Sequence, residues 1–270
     1  MYRAEQQTWN EADRQAHQAR RFAQLTLQLS GSNSFYRNKW RDIPPSHLTL
    51  ERLEELSWTS KVELQEDQRR HPPFGTNLTF PLERYTRFHQ TSGTSGTPLR
   101  VLDTAQSWRW WMQCWRMILD CAGVHPGDRV MLAFSFGPFV GFWSAHDAAY
   151  RYGALVLPGG GMTSSQRLAM MRDLGATVLV CTPSYALHLA EVARAEGIEP
   201  ARDLSIRTTI HAGEPGAGIP GTRERIEALW GARCYDHPGA SEIGAYGFSC
   251  SARCGVHVNE TEFVAEVVHP

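Results

Sequence analysis

After Pro72-Pro73 the chain alternates short aliphatic or β-branched runs with helical stretches, and this alternation limits its fold more than any other feature. Strand, helix and strand at such spacing indicate right-handed βαβ crossovers, in which helices cover both faces of a mostly parallel sheet. We therefore expect an α/β fold. The pattern predicts strands at 84–90, 99–102, 129–134, 154–157, 177–181, 207–211 and 233–235, and helices at 104–121, 142–152, 164–174, 184–196 and 219–230.

The two ends of the chain do not show this alternation of strand-like and helical segments. Residues 1 to about 80 are polar, and they predict a helical N-terminal cap with helices at 10–29, 49–56 and 61–70. Past Gly239 the pattern is strand-like only, and it predicts a β-rich end with strands at 244–249, 256–259 and 262–267. The expected domains are 1–80, an α/β nucleotide- and acid-binding core at 81–243, and a β segment at 244–270.

Composition excludes several classes of protein. The chain has 27 basic and 28 acidic residues and a formal net charge of −1. It therefore lacks the excess of positive charge that attracts the phosphates of nucleic acid. With 42% hydrophobic residues it can bury a core, which argues against disorder. The sequence contains no apolar run near the roughly 20 residues of a bilayer span and no signal peptide, so we expect a cytoplasmic chain. Its six cysteines are then reduced thiols or metal ligands.

Trp108, Trp111 and Trp115 recur at helical spacing in the predicted helix at 104–121. Such a stripe of aromatic side chains could stack on a cofactor. A helical repeat of apolar residues indicates only which face of the helix is buried, so we interpret the stripe as part of the core. The cysteines at 114, 121 and 181 fall on predicted helix or strand faces and are expected to be small core residues.

Thr91-Ser92-Gly93-Thr94-Ser95-Gly96-Thr97-Pro98 separates two predicted strands. Its hydroxyl groups and the backbone N–H groups beside its glycines could bind a polyphosphate in one concavity. It is not a Walker loop, because Gly-Lys-Ser/Thr is absent and a strand follows it. The alternative is a flexible surface loop, which the tightly flanking strands disfavour.

Two further segments carry polar chemistry. His211-Ala212-Gly213-Glu214-Pro215 ends a predicted strand, where open parallel sheets bind ligands. Tyr235-Asp236-His237-Pro238-Gly239-Ala240-Ser241-Glu242 follows about twenty residues later, and its Ser-Glu pair could bind phosphate and hold Mg²⁺. An exposed Ser-Glu pair without function is the alternative for this segment taken alone.

Cys250, Cys254 and His257 form a Cys-x3-Cys-x2-His arrangement, which is close to metal-site spacing but one ligand short of a tetrahedron. His237 or Cys234 could supply the fourth zinc ligand. Ordinary reduced thiols at a sheet edge are the alternative.

Taken in order, these segments resemble the phenylacetate-CoA ligase family of AMP-forming, adenylate-forming enzymes. The resemblance runs through nearly the whole chain and includes Thr59-Ser60-Lys61, Gly127-Asp128-Arg129, Ala145-His146, Thr182-Pro183-Ser184-Tyr185-Ala186 and Gly255-Val256-His257. It implies the fold of the N-terminal domain of such enzymes. It also implies activation of an aromatic carboxylic acid with ATP to an acyl-adenylate, followed by transfer to the thiol of coenzyme A or of a carrier-protein phosphopantetheine.

The resemblance also implies residue roles. ATP phosphates would bind Thr91, Ser92, Gly93, Thr94, Ser95 and Gly96, with Thr94, Ser241 and Glu242 as the catalytic set. Adenine would lie along Gly213, Glu214 and Pro215, with Tyr235 and Asp236 near its edge. Ser241 would approach the α-phosphate, and Glu242 would bind Mg²⁺. The acid pocket would contain Phe136, Phe139, Gly160, Gly161 and Ala212.

Three departures from the family pattern stand out. Pro238 replaces an adenine-stacking aromatic residue, and Asn259-Glu260-Thr261 replaces Trp-Glu-Asp. The chain also stops at Pro270, before the ribose-binding aspartate, the hinge and the lid domain with the adenylation lysine. Relatives in the family bind zinc through residues at the positions of Cys250 and His257, completed by a downstream cysteine pair.

The sequence thus leaves two functions open. One is an acid-thiol ligase that uses ATP, Mg²⁺, coenzyme A or phosphopantetheine, and structural Zn²⁺. The other is a non-catalytic nucleotide- or aryl-acid-binding module, which the absence of a lid domain favours. The expected partners are a small aromatic acid, an acyl-carrier protein as the alternative acceptor and a second copy in a homodimer, with no nucleic acid and no membrane. A hydrolase is disfavoured, because no Gly-x-Ser-x-Gly elbow is present.

Overall fold

The computed structural model describes residues 8–93, 96–135 and 137–267. The chain divides into two compact units, one comprising Met1–Trp108 with Glu260–Pro270 and the other Arg109–Asn259. The domain boundaries expected from the sequence remain a prediction.

The first unit is helical at its start, as expected. It contains α1 (Glu11–Ser32), α2 (Ser34–Lys39), α3 (Lys61–Arg70) and short 3-10 turns at Pro45–His47, Leu50–Glu55 and Leu82–Arg84. Asn10 begins α1 by accepting the N–H of Asp13, and Ser60 forms a capping box with Glu63 at the start of α3. The helix expected at 10–29 extends to Ser32. Asn33 alone ends α1 and caps α2.

A two-stranded antiparallel ladder follows in the same unit. It pairs β1 (Tyr85–Gln90) with β2 (Arg100–Thr104), and its last pair joins Gln90 to Arg100. The next helix, α4 (Ala105–Cys121), begins here and continues into the second unit. Its three tryptophans at 108, 111 and 115 are at most 5% exposed, which confirms the prediction that this stripe is buried.

The second unit is built on a five-stranded parallel sheet in the order β4-β3-β5-β6-β7. Its strands are β3 (Arg129–Leu132), β4 (Leu155–Pro158), β5 (Val178–Cys181), β6 (Thr208–His211) and β7 (Arg233–Asp236). The helices of this part are α5 (Val140–Tyr152), α6 (Ser164–Asp173), α7 (Pro183–Ala195), α8 (Pro200–Asp203) and α9 (Pro220–Trp230). The parallel sheet confirms the expected α/β class.

Burial explains the central position of β5 and β6, since every residue of both strands is buried. Aliphatic side chains of β3 and β5 pack against α6, α7 and α9 in one core that includes Met131, Leu179, Leu189 and Trp230. The indole N–H of Trp230 donates to the Ala186 carbonyl, so this large buried ring leaves no unpaired donor.

The β-rich end is smaller than the sequence predicts. The only ladder among the described residues beyond 239 pairs β8 (Gly247–Phe248) with β9 (His257–Val258). The strand expected at 262–267 is wrong. Those residues are irregular, and 264–267 are exposed, because no neighbouring strand supplies hydrogen-bond partners for them.

None of the helices within the described ranges combines the length and the hydrophobicity that a bilayer crossing requires.

Candidate functional site

The second unit brings most of the expected site residues to one edge of its sheet. Parallel strands end on the same side, and in open α/β sheets this edge binds ligands. The segments that follow the five strand ends, in spatial order, are Gly159–Gly161, Phe134, Thr182–Ser184, Ala212–Pro215 and His237–Glu242.

Glu214 holds the segment Gly213–Pro215, which is expected to face adenine, against the start of α7. Its carboxylate accepts the backbone N–H of Ser184 at 2.7 Å, in the first turn of α7. Burial alone would raise the pKa of Glu214, but hydrogen bonds from Ser184 and Thr182 outweigh it and hold that pKa below its usual value. Gly213 has φ of 92°, a conformation that glycine adopts without strain. The segment itself is exposed and open to a ligand.

Behind this segment lies a buried histidine. His211 is fully buried at the end of β6, and its Nδ1–H donates to the Cys181 carbonyl at 3.1 Å. Burial lowers the pKa of His211 to about 4, so the ring is neutral near pH 7. Burial also raises the pKa of the Cys181 thiol, which confirms Cys181 as a core residue rather than a nucleophile.

Asp236 ends β7 beside a cavity of 240 Å³. Burial raises the pKa of its carboxyl group, whereas a backbone hydrogen bond from His237 opposes that rise. Gly218 lines the same cavity, and a Cβ at Gly218 would lie 2.7 Å from Asp236 Oδ2. The carboxylate therefore occupies space that only a glycine at 218 leaves open.

Tyr235 does not share that cavity with Asp236. Adjacent strand residues point to opposite faces, and the buried Tyr235 lines a separate cavity of 550 Å³ together with Arg207 and Arg233. The structure thus brings only Asp236, of the expected pair, to the cavity that Gly218 lines.

Ser241 and Glu242 lie in a tight turn. Backbone hydrogen bonds between Ala240 and Gly244 close this turn at 3.1 and 2.8 Å, and both side chains are half-buried. Beneath it, His237 donates from Nδ1 to the Gly247 carbonyl at 2.9 Å. Burial lowers the pKa of His237 to about 4, which keeps it neutral.

The expected acid pocket corresponds to the segments after β3 and β4. Phe139 is 42% exposed and so offers a free ring face, and Trp143 Nε1 donates to the Gly137 carbonyl at 2.9 Å. Gly160 is half-buried and Gly161 exposed, while Ala212 follows β6. Phe136 lies outside the described residues.

The expected phosphate loop belongs to the first unit. Thr91 is buried, and its Oγ1 accepts the N–H of Leu99 at 3.0 Å, so the loop closes directly above the β1–β2 ladder. Gly93 and Gly96 have φ of 68° and 131°, and the Gly96 N–H donates to the Gly93 carbonyl. Ser92 is exposed, whereas Thr94 and Ser95 lie outside the described residues.

The metal expectations have different outcomes. Among the described residues no three His, Cys, Asp or Glu side chains are grouped to hold a metal, and the zinc site stays a prediction. The Cys250 side chain forms a hydrogen bond with His257, while Cys254 lines the cavity beside Asp236. Burial raises the pKa of the Cys234 thiol to about 12. Glu242 alone still suits Mg²⁺, which usually takes one or two carboxylates plus phosphate oxygens.

Arg167 was not among the residues expected from the sequence. The residue is 7% exposed, and its guanidinium donates hydrogen bonds to backbone carbonyls in the segments after β3 and β4. In the sequence it is one polar residue in a helix of mixed pattern, and no motif marks it.

Comparison with known proteins identifies the relatives of this chain. No protein-family model matches it. The phenylacetate-coenzyme A ligase of Thermus thermophilus is 31% identical over 277 residues, which cover 100% of this chain and 60% of the relative. The enzyme of the same name from Pseudomonas putida is 31% identical over 230 residues, 84% of this chain and 51% of the relative.

A solved structure agrees with these matches. The open conformation of 2-hydroxyisobutyryl-CoA ligase, in complex with 2-HIB-AMP and CoA, superposes with a TM-score of 0.85 and 31% identity. The match covers 91% of this chain and 58% of that one. The chain thus spans about half to three fifths of the length of the relatives it matches. It belongs to the family of the phenylacetate-coenzyme A ligases.

Proposed function

We propose that this chain activates a carboxylic acid with ATP and passes the acyl group to a thiol. In the first step a carboxylate oxygen attacks the α-phosphorus of ATP, and the bond to the β-phosphate oxygen breaks, releasing pyrophosphate. In the second step a thiolate attacks the acyl carbon of the acyl-adenylate, and AMP leaves. The observation that carries this proposal is the 0.85 superposition on a ligase that holds an acyl-AMP and CoA.

The chain's own residues would bind and orient the reactants. In the second unit, the fastened Gly213–Pro215 segment offers a surface for adenine, and the Asp236 carboxylate offers an acceptor for an amino group. In the first unit, the exposed Ser92 hydroxyl and the backbone N–H of Gly93 offer donors for phosphate oxygens. Mg²⁺ held at Glu242 would neutralise phosphate charge. Positioning and charge neutralisation supply most of the catalysis in phosphoryl chemistry.

For the acid, we propose an aromatic substrate. The exposed ring of Phe139 offers a stacking face, and the glycines at 159–161 let a flat ring approach the backbone. The names of the two relatives refer to phenylacetate, whereas the solved structure holds an adenylate of 2-hydroxyisobutyrate. As acceptor we propose coenzyme A, with a carrier protein as the alternative.

Calorimetric titration with ATP and Mg²⁺, followed by mass spectrometry for acyl-AMP, tests this function. We expect ATP binding, and acyl-AMP formation with phenylacetate or benzoate in preference to octanoate. Absence of heat with both ATP and AMP at millimolar concentration would rule the proposal out. ATP binding without acyl-AMP from any acid would instead favour a nucleotide-binding module.

A further inference from the structure

Arg167 is a buried cation whose hydrogen bonds go to backbone carbonyls. Its Nε donates to the Gly159 carbonyl at 2.9 Å, and its Nη2 donates to the Phe134 carbonyl at 3.1 Å. Among the described residues no carboxylate forms an ion pair with it. Burying a cation without a counter-ion is costly, so two charge-assisted hydrogen bonds to carbonyls are needed to hold it there.

The two carbonyls belong to neighbouring strands. Leu132 at the end of β3 pairs with Pro158 at the end of β4; Gly159 follows Pro158 directly, and Phe134 lies two residues after Leu132. The Gly159 N–H donates to the Leu132 carbonyl at 3.0 Å, and the guanidinium joins the two segments beside this last backbone bond. A planar fork with several donors suits this task, and a single ammonium group does not match it.

Other contacts hold Arg167 in this position. Its guanidinium carbon lies 4.9 Å from the centroid of the Tyr185 ring, and the Tyr185 hydroxyl bonds Ser164 Oγ at 3.0 Å. A glycine at 159 leaves room for this packing, since a Cβ there would lie 2.6 Å from Met131 Cε and 3.4 Å from Arg167 Nε. The backbone on both sides is thus located by one side chain.

From these contacts we infer that Arg167 is a positioning residue that sets the spacing of the two acid-binding segments, and so the affinity for the acid. The inference rests on the proposed function, which assigns these segments to the acid. Arg167 acts through the backbone at Phe134 and Gly159 and does not act on ATP. It therefore separates the affinity for the acid from the affinity for the nucleotide.

The variants Arg167→Lys and Arg167→Gln test this inference, because Lys keeps the charge and loses the fork. We expect both to weaken binding of phenylacetate about tenfold, the cost typical of a lost positioning group, while the ATP affinity stays unchanged. Calorimetry with each ligand alone measures both affinities. Hydrogen exchange measures the segments directly, and the amides of Gly159 and Met162 should exchange faster in both variants.

Arg129→Lys is the matched control. Arg129 Nε also donates to a backbone carbonyl, that of Gly175 at 2.6 Å, but at the opposite end of β3. Its loss should leave phenylacetate binding as it is in the wild type. Where the Arg167 variants fail to fold, Tyr185→Leu removes the supporting ring instead, and it should shift acid affinity and exchange in the same direction.

The outcomes separate the two proposals. Unchanged acid affinity in the Arg167 variants overturns the inference and leaves the ligase function standing. Weakened acid binding with unchanged exchange at Gly159 and Met162 also overturns it, since Arg167 would then contact the acid directly. A wild-type chain that binds no acid overturns both the acid-activating function and the inference, even if exchange responds to the variants.

Discussion

The carboxylate of Glu214 and the backbone N–H of Ser184 form a hydrogen bond of 2.7 Å across 30 positions of sequence. The first N–H groups of a helix have no partner within it, so Glu214 completes the start of α7 from outside. Thr182 fills the ordinary capping position and accepts the N–H of Tyr185. The loop after β6 is consequently held by the helix after β5.

Glu214→Ala should destabilise the protein and loosen this loop. The substitution leaves the Ser184 N–H without its charged acceptor, and we expect a loss of about 1–2 kcal/mol in the free energy of unfolding. Glu214→Gln keeps an acceptor oxygen and should lose less. Denaturant titration measures both. Glu191→Ala is the control, because the ion pair of Glu191 with Arg225, at 3.3 Å, is exposed and should contribute little. Equal stability of all three variants would contradict the capping role.

Gly218→Ala should weaken ATP binding. The new Cβ would lie 2.7 Å from Asp236 Oδ2, so the carboxylate must move within the cavity. Loss of one well-placed hydrogen-bond acceptor should lower the affinity for ATP about tenfold. Gly221→Ala, in α9, is the matched control, since a Cβ there meets nothing within 4 Å. Calorimetric titration of ATP compares the two, and identical affinities would mean that Asp236 does not face the nucleotide.

Much of the sheet was predictable because most of its strands are short aliphatic or β-branched runs. The run at 177–181 predicts a strand, and β5 occupies 178–181. The same reasoning fails at 262–267, where apolar residues also occur but the described chain offers no partner strand. Local composition predicts a strand, whereas a strand exists only where another backbone accepts its hydrogen bonds.

The site was predictable in part, for a similar reason. Gly213, Glu214 and Asp236 follow strand ends, and strand ends in a parallel sheet meet at one edge. The zinc ligands stay a prediction, since Cys250 forms a hydrogen bond with His257 whereas Cys254 lines the Asp236 cavity. Arg167 was missed because its partners are carbonyls 8 and 33 positions away, and backbone acceptors carry no sequence signal.

Thr91→Val should destabilise the turn at the expected phosphate loop. Valine has nearly the same shape but accepts no hydrogen bond, so the buried N–H of Leu99 would lose its partner. An unsatisfied buried donor costs about 1–3 kcal/mol. Thr91→Ser keeps the hydroxyl and should retain most of the stability. Chemical denaturation of the two variants decides the point, and a Val variant as stable as the wild type would show that Leu99 finds another acceptor.

The stability of the protein should fall as the pH is lowered from 7 to 4.5. Burial lowers the pKa of His211 and His237 to about 4, and burial together with the charge of Arg87 lowers that of His89 to about 4. An unfolded histidine titrates near 6.5, so between these values the unfolded chain binds more protons than the folded one. The free energy of unfolding is then greatest above pH 6.5, and it decreases as the pH falls toward 4.

The proton count makes this prediction quantitative. The slope of unfolding free energy against pH should correspond to uptake of as many as about three protons between pH 6 and 4.5. His211→Gln can still donate to the Cys181 carbonyl, and it should reduce the slope by about one proton. Exposed His188→Gln should leave the slope unchanged. Urea titrations at several pH values measure it, and a flat profile from pH 7 to 4.5 would show that these rings are not held neutral by burial.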